Sequence, residues 1–224
     1  MRTVIFDLDG TLADTSGDLI AAANVCFNGL GLGDLLDRAT DAGTALRGGR
    51  AMLKLGFSRV EGFGEDDILA QYPVLLAAYA KDIDTHTTLY DGAMDAVESL
   101  KTAGYGVGIA TNKPEGLAED LMKRLGVRDA FASLVGADTL PIRKPDPEHL
   151  FEAARRAGGD PALTCLVGDS DTDRNTAKAA GVPSILVTFG PSGDDMAALN
   201  PEALLDRFED LPALVDRLMG VQDH

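Results

Sequence analysis

The chain has 224 residues, enough for one large domain or two modest ones. Its 36 acidic against 20 basic side chains give a formal net charge of −16, a field that repels nucleic acid and anionic membrane and so predicts neither as a partner. A hydrophobic fraction of 45% with no Trp predicts an aliphatic core, and two cysteines outside any CxxC pair, Cys26 and Cys165, predict free thiols in a reducing cytoplasm rather than a disulfide.

The first predicted element is a strand over residues 3–6, an apolar run with β-branched members. It delivers Asp7 and Asp9 to its end, inside FDLDGTLADTS, with Asp14 following. Residues two apart on an extended strand point the same way, so both carboxylates can look into one rim; a plain turn at Asp9-Gly10 is the other reading of the same residues. No basic segment with a long apolar run opens the chain and no run of roughly 18 apolar residues follows, so neither a leader nor a membrane span is expected.

From about residue 15 to 88 no strand pattern occurs. Helices are expected near residues 18–30, 50–55 and 66–80, separated by the Gly-rich joints GLGLGD, RGGR and EGFGED. The expectation is a helical insert over residues 15–88 that forms a separate lid, leaving 1–14 and 89–224 as the other domain.

Beyond the insert, apolar runs at 106–110, 131–135, 164–167 and 184–188 read as buried strands, with a weaker one at 203–208. Helix patterns lie between most of them. The first runs from Ala93 to Gly104, with Met94, Val97 and Leu100 on one face. The next runs from Glu115 to Gly126, with Leu117, Leu121 and Leu125 aligned. A third opens at Asp146-Pro147 and stops at Gly158, and a short one follows Ser170 and stops at Gly181. Strands alternating with helices predict an α/β fold with a Rossmann-like parallel sheet, which binds ligands at the carboxyl ends of its strands. The residues closing these strands are Asp7 and Asp9, Thr111 and Asn112, Asp138, and Asp169 with Asp173, and they are expected to share one rim.

VGDSDTD gathers Asp169, Asp171 and Asp173, and helix capping would explain any one of them. Two acidic strand ends on one rim, however, need a cation to relieve them. Oxygen-only ligands suit a hard ion, and few carboxylates with water suit Mg²⁺. In IATNKPE, Thr111 and Asn112 bring hydroxyl, amide and backbone N–H groups to a helix start, which favours an anion unless the segment is an ordinary polar turn. In PIRKPDPEH, prolines stiffen the backbone around Lys144, so its ammonium either points to a defined place or is a solvated loop lysine.

Taken together, FDLDGTLADT, IATNK, KPDP and GDSDTD resemble, in order and across nearly the whole chain, the four motifs of the haloacid dehalogenase-like superfamily of phosphohydrolases. The resemblance implies that Asp7 is a nucleophile forming an aspartyl phosphate and that Asp9 is the general acid and base. It implies that Thr111 and the Asn112 N–H hold phosphoryl oxygens, and that Lys144 steadies Asp7 and the transferring group. Mg²⁺ would be held by the Asp7 carboxylate, the Asp9 carbonyl and Asp169, with Asp173 supporting the ligands. Asp14 resembles the hinge residue, Asp171 falls outside the pattern, and His86, His149 and His224 match no metal spacing.

The insert resembles the family's helical cap, and ALRGGRAMLKLG its substrate-facing loop. Arg47 or Arg50 would then meet an anionic part of the substrate such as a carboxylate; a solvated basic loop is the alternative. Within the superfamily, DTSGDLIAAAN, YDGAMDAVESLKTAGY and GDSDTDRNTAKAAGVPSILVTFG resemble bacterial phosphoglycolate phosphatases. This implies action on a small phosphorylated metabolite, 2-phosphoglycolate; a cytoplasmic monomer or homodimer is expected. Phosphatases of sugar phosphates or pyrophosphate, and sugar phosphomutases, share the scaffold and stay open. A dehalogenase would have no use for Asp9. A phospho-aspartate receiver, a signalling module, would lack the helical insert.

Overall fold

The structure, a computed structural model, describes residues 1–190 and 193–220, and His224 lies outside them. The chain divides into two compact units, residues 1–13 with 89–224 and residues 14–88.

The first unit starts with β1 (Thr3–Phe6), every residue of which is buried. The chain leaves this unit through the short β2 (Ala13–Asp14) and enters the helical unit. There α1 (Ser16–Gly29), α2 (Arg38–Ala45), α3 (Gly49–Phe57) and α4 (Glu65–Lys81) pack around Phe27, Met52, Leu53, Phe57, Leu75 and Tyr79. Phe27 and Phe57 meet edge to face at 5.2 Å. Buried Asp18 of α1 accepts from the backbone N–H groups of His86 and Thr87 and from the Thr87 hydroxyl, which ties the last loop of the unit to its first helix. His86 enters this tie through its backbone.

Helix α2 is absent from the sequence expectation, for a physical reason. RATDAGTA has no apolar stripe, and only Asp41 and Ala45 of it are buried. Polar contacts hold it instead. Asp37 caps it by accepting from Ala39 N at 2.8 Å, Asp41 accepts in return from Asp37 N, and Arg59 grips both oxygens of Asp41 at 2.9 and 2.7 Å.

Back in the first unit, β3 (Thr88–Leu89) pairs with β2 where the chain returns. Then follow α5 (Ala93–Thr102), β4 (Gly106–Ala110), α6 (Glu115–Arg124), β5 (Ser133–Val135), α7 (Pro147–Arg156) and β6 (Thr164–Gly168). Next come α8 (Asp171–Ala180), β7 (Ser184–Val187), β8 (Ala203–Leu205) and α9 (Leu211–Met219). Six strands form one sheet in the order β5-β4-β1-β6-β7-β8, and every pairing is parallel. Strands β4 and β6 are, like β1, buried throughout, as expected of a parallel sheet covered on both faces. On one face Ile5, Ala110, Val135 and Leu166 form a core with Leu150, Ala153 and Ala154 of α7 and Ala177 of α8. Cys165 on β6 is buried and is a free thiol, as is Cys26.

The expected strand over residues 131–135 begins later, at Ser133. Arg128–Ala130 wind into a 3₁₀ turn, and Phe131 is a buried plug that packs edge to face on Phe6 at 6.2 Å. The register fixes where a ligand can sit. Phe6 lies opposite Ile109 on one side and Val167 on the other, so β1, β4 and β6 end at one level. The chain first extends the sheet from β1 to β4 and β5, then returns to the other flank at β6. That reversal at β1 is the switch point where open α/β sheets bind their ligands.

Candidate active site

Asp7, Asp9, Thr111, Lys113, Lys144, Asp169 and Asp173 all belong to the first unit. Sheet pairing continues one bond past β1, with Asp7 N donating to Val167 O at 2.8 Å. The backbone then turns sharply. Leu8 O accepts from the amides of Thr11, Leu12 and Ala13, and Gly10 takes a φ of 82°, a left-handed conformation that glycine adopts without strain. The turn buries Leu8 and Leu12 while leaving the Asp7 and Asp9 side chains 13% and 15% exposed. The Asp9-Gly10 turn is therefore present, and Asp7 pairs with Lys144 while Asp9 pairs with Lys113.

Lys144 is almost wholly buried, its side chain 1% exposed. Its ammonium lies 3.0 Å from Asp7 Oδ1 and 2.7 Å from Asp173 Oδ1. Asp7 Oδ1 also accepts from Leu8 N at 2.7 Å, and among the described residues no donor reaches Asp7 Oδ2. Asp173 sits in the first turn of α8, where Ser170 caps it and Asp173 completes the capping box. Its Oδ2 accepts from Asp169 N, Ser170 N and Ser170 Oγ. Gly168 makes room for it, because a Cβ there would come within 2.3 Å of Asp173 Cγ. One side chain therefore completes the capping box of α8 and reaches the Lys144 ammonium. Asp169, 8% exposed, accepts from Thr11 Oγ1 at 2.9 Å.

On the other flank of β1, Thr111 N donates to Val135 O and Thr111 Oγ1 accepts from Lys113 N, which fixes the turn at the start of α6. Asn112 Nδ2 donates to Lys144 O at 3.1 Å, so its side chain clamps the lysine loop. Asp138 accepts from Glu115 N at 2.7 Å. Its carboxylate thus serves the first turn of α6.

The electrostatics are those of an anionic trio short of cations. Asp7, Asp169 and Asp173 each offer an oxygen, all within 4.8 Å of one another. Burial pushes the Asp7 carboxyl up to about 7, against the pull of Lys144 and with help from Asp173 and Asp9. Burial, then Asp7 and Asp173, push Asp169 well above the usual carboxylate range. Burial alone would lower the Lys144 pKa, but Asp173 and Asp7 outweigh it and hold the ammonium above its ordinary value. Three carboxylates against one ammonium leave two negative charges to balance, and an all-oxygen donor set suits a hard divalent cation.

One charged group escaped the sequence reading. Lys113, inside the quoted IATNK, is buried, and its ammonium lies 2.6 Å from Asp9 Oδ1. The signal was its place directly after Thr111-Asn112, masked because a lysine opening a helix also reads as a solvated residue. The remaining residues take quieter places. Asp14 Oδ1 accepts from Ser16 N and Oγ at the start of α1, and Asp171 is an exposed first residue of α8. His149 is buried with Nε2 3.0 Å from Gly136 O, and burial lowers its pKa. Arg47 and Arg50 belong to the helical unit and are exposed. Arg50 stands 3.9 Å from Glu65 and over the Tyr72 ring at 5.6 Å.

A family model described as haloacid dehalogenase-like hydrolase matches residues 4–187. A phosphoglycolate phosphatase of Mesorhizobium japonicum is 37% identical over 99% of this chain and 98% of its own length. One of Agrobacterium fabrum is 37% identical over 96% and 93%. Among solved structures, a predicted phosphoglycolate phosphatase from Haemophilus somnus superposes with a TM-score of 0.84 at 23% identity, over 96% of this chain and 97% of that one. CbbY from Rhodobacter sphaeroides, in complex with phosphate, does so with 0.78 at 24% identity, over 96% and 99%. At these identities the two structures speak for the fold alone.

Proposed function

The chain belongs to the haloacid dehalogenase-like hydrolase family, and from that membership we propose that it hydrolyses a small phosphomonoester, 2-phosphoglycolate to glycolate and phosphate, through an aspartyl phosphate on Asp7. The observation that carries this reading is the Asp7–Lys144 pair. A carboxylate is pinned through Oδ1 to a buried ammonium and a backbone N–H, and no described donor reaches its Oδ2. That oxygen is the attacking atom. Its bond to phosphorus forms as the ester P–O bond breaks, and the leaving alkoxide takes a proton from Asp9. Thr111 and the Asn112 N–H, one strand over, receive the phosphoryl oxygens, while Lys144 keeps Asp7 in place and offsets charge on the transferring group. In the second half of the cycle Asp9 takes a proton from water as the water attacks phosphorus, and the electron pair of the broken bond returns to Asp7.

Asp7, Asp169 and the Asp9 carbonyl would hold Mg²⁺, with Asp173 keeping Asp169 and Lys144 in position through its bonds to Asp169 N and the ammonium. When bound, the ion supplies positive charge for the phosphoryl oxygens that Lys144 alone cannot balance. The fit predicts two results. Phosphate release should stop with a chelator and return with Mg²⁺. The chelated protein should also unfold at a lower temperature than with Mg²⁺, a difference that Asp169→Asn should remove, because only the folded trio binds the ion. Turnover that persists without metal would contradict the assignment.

The helical unit, 14–88, is the proposed cap, and one of its arginines would bind the carboxylate of the substrate. Arg47→Ala or Arg50→Ala should raise KM for 2-phosphoglycolate on the order of tenfold, in line with loss of one charge-assisted contact, and leave p-nitrophenyl phosphate nearly unchanged. Equal effects on both substrates would remove carboxylate recognition. No helix among the described residues is long and apolar enough to cross a membrane, and with two free buried thiols we place the protein in the cytoplasm. The substrate itself is tested by phosphate release from 2-phosphoglycolate, sugar phosphates and pyrophosphate in parallel. A kcat/KM that favours either of the latter would replace phosphoglycolate in this reading.

A further inference from the structure

The site contains two buried lysines, and they divide its carboxylates. Lys144 serves Asp7 and Asp173. Lys113 serves Asp9, with Nζ 2.6 Å from Oδ1 and a side chain only 4% exposed. A lysine kept for solubility would extend its ammonium into water. This one is desolvated and needs an anion. Its backbone is locked on both sides, by Lys113 N donating to Thr111 Oγ1 at 3.1 Å and Lys113 O accepting from Ala137 N at 2.9 Å. Asp9 stands on the turn that follows β1, with an isolated bridge to Ala13. The lysine reaches Asp9 from a backbone bonded on both sides.

We propose that Lys113 is a positioning residue, which fixes the Asp9 carboxyl group for proton transfer to the leaving alcohol and from the attacking water. The inference rests on the reading of Asp9 as the proton-transfer group. It adds a second cation to the site with a task different from that of Lys144. A carboxylate displaced by about 1 Å from the line of proton transfer loses on the order of 10²-fold in rate, so a lysine that holds it is worth that much.

The test uses the Mg²⁺-loaded protein with 2-phosphoglycolate and p-nitrophenyl phosphate, and the variants Lys113→Met, Asp9→Asn and their combination. With 2-phosphoglycolate, Lys113→Met should lower kcat about 10²-fold, the scale of lost proton transfer, with KM within about threefold. With p-nitrophenyl phosphate, whose leaving group departs without a proton, it should give a burst of about one p-nitrophenol per site and then slow turnover. Adding Lys113→Met to Asp9→Asn should slow the enzyme by no more than about twofold, because both changes act on one group. Lys113→Arg keeps the charge but moves the carboxylate, and should give an intermediate kcat with unchanged KM. This variant decides the matter if the Met variant does not fold.

Wild-type kcat in the Lys113 variants overturns the proposal. So does a raised KM with unchanged kcat, which would make Lys113 a substrate-anion contact. A lost burst overturns it by showing that the damage reaches Asp7. If Asp9→Asn is slow while Lys113→Met is not, only the lysine assignment fails. If Asp9→Asn keeps wild-type rates, the proton-transfer reading of Asp9 itself fails.

Discussion

Asp7→Asn is expected to abolish turnover of every phosphomonoester, by on the order of 10⁵-fold or more, the scale seen when a covalent nucleophile is removed, while leaving the fold intact. The substitution is nearly isosteric, and an amide oxygen in place of Oδ1 can still accept from Leu8 N and from Lys144. It also removes one charge from a crowded trio. Burial and the neighbouring carboxylates oppose ionised Asp7, so in metal-free protein the neutral amide should unfold at the same temperature as wild type or higher. Loss of activity with gained stability is the signature of a strained functional group rather than a structural one. A folded Asn variant with near-normal rates would take the nucleophile role from Asp7.

Lys144→Met should damage both activity and stability. The side chain is buried and bridges Asp7 and Asp173, the latter with no exposed side-chain surface. Replacing the ammonium with a thioether of similar length leaves two buried carboxylates without their cation. Breaking a buried pair in this way costs about 3–5 kcal/mol, far more than the loss of an exposed ion pair. Denaturant unfolding of the chelated protein checks the figure, and saturating Mg²⁺ should restore part of the stability but little of the activity. A variant as stable as wild type would mean that the three carboxylates do not depend on Lys144. Full activity in a folded variant would remove it from the transfer step.

Much of this arrangement was legible in the sequence because a parallel sheet announces itself. Strands buried on both faces are short apolar runs, and TVIF, GVGIA and TCLV were visible as such. The first polar residue after each such run then falls on the ligand edge. That simple rule gathered Asp7, Thr111 and Asp169 on adjacent strands before any geometry was known. What stayed hidden depended on contacts between distant residues. Helix α2 has no apolar stripe, and its stability comes from Asp41 and Arg59, 18 positions apart. Asp138 shows its partner, Glu115 N, only in the fold. Lys113 and Asp9 are 104 positions apart, and a lysine shows its burial only once the fold is known. Asp173 was visible as a cap and as a site residue, yet only the packing shows that the missing Cβ of Gly168 lets it be both.

The central claim is a covalent phosphoryl group on Asp7, and trapping tests it directly. Wild-type protein turning over 2-phosphoglycolate with Mg²⁺ is quenched in acid, reduced with borohydride and mapped by peptide mass spectrometry. An acyl phosphate is reduced to the alcohol, so the account predicts homoserine in place of aspartate at position 7, dependent on substrate and at no other aspartate. An unmodified Asp7 under turnover, or conversion at Asp9, Asp169 or Asp173 instead, would contradict it.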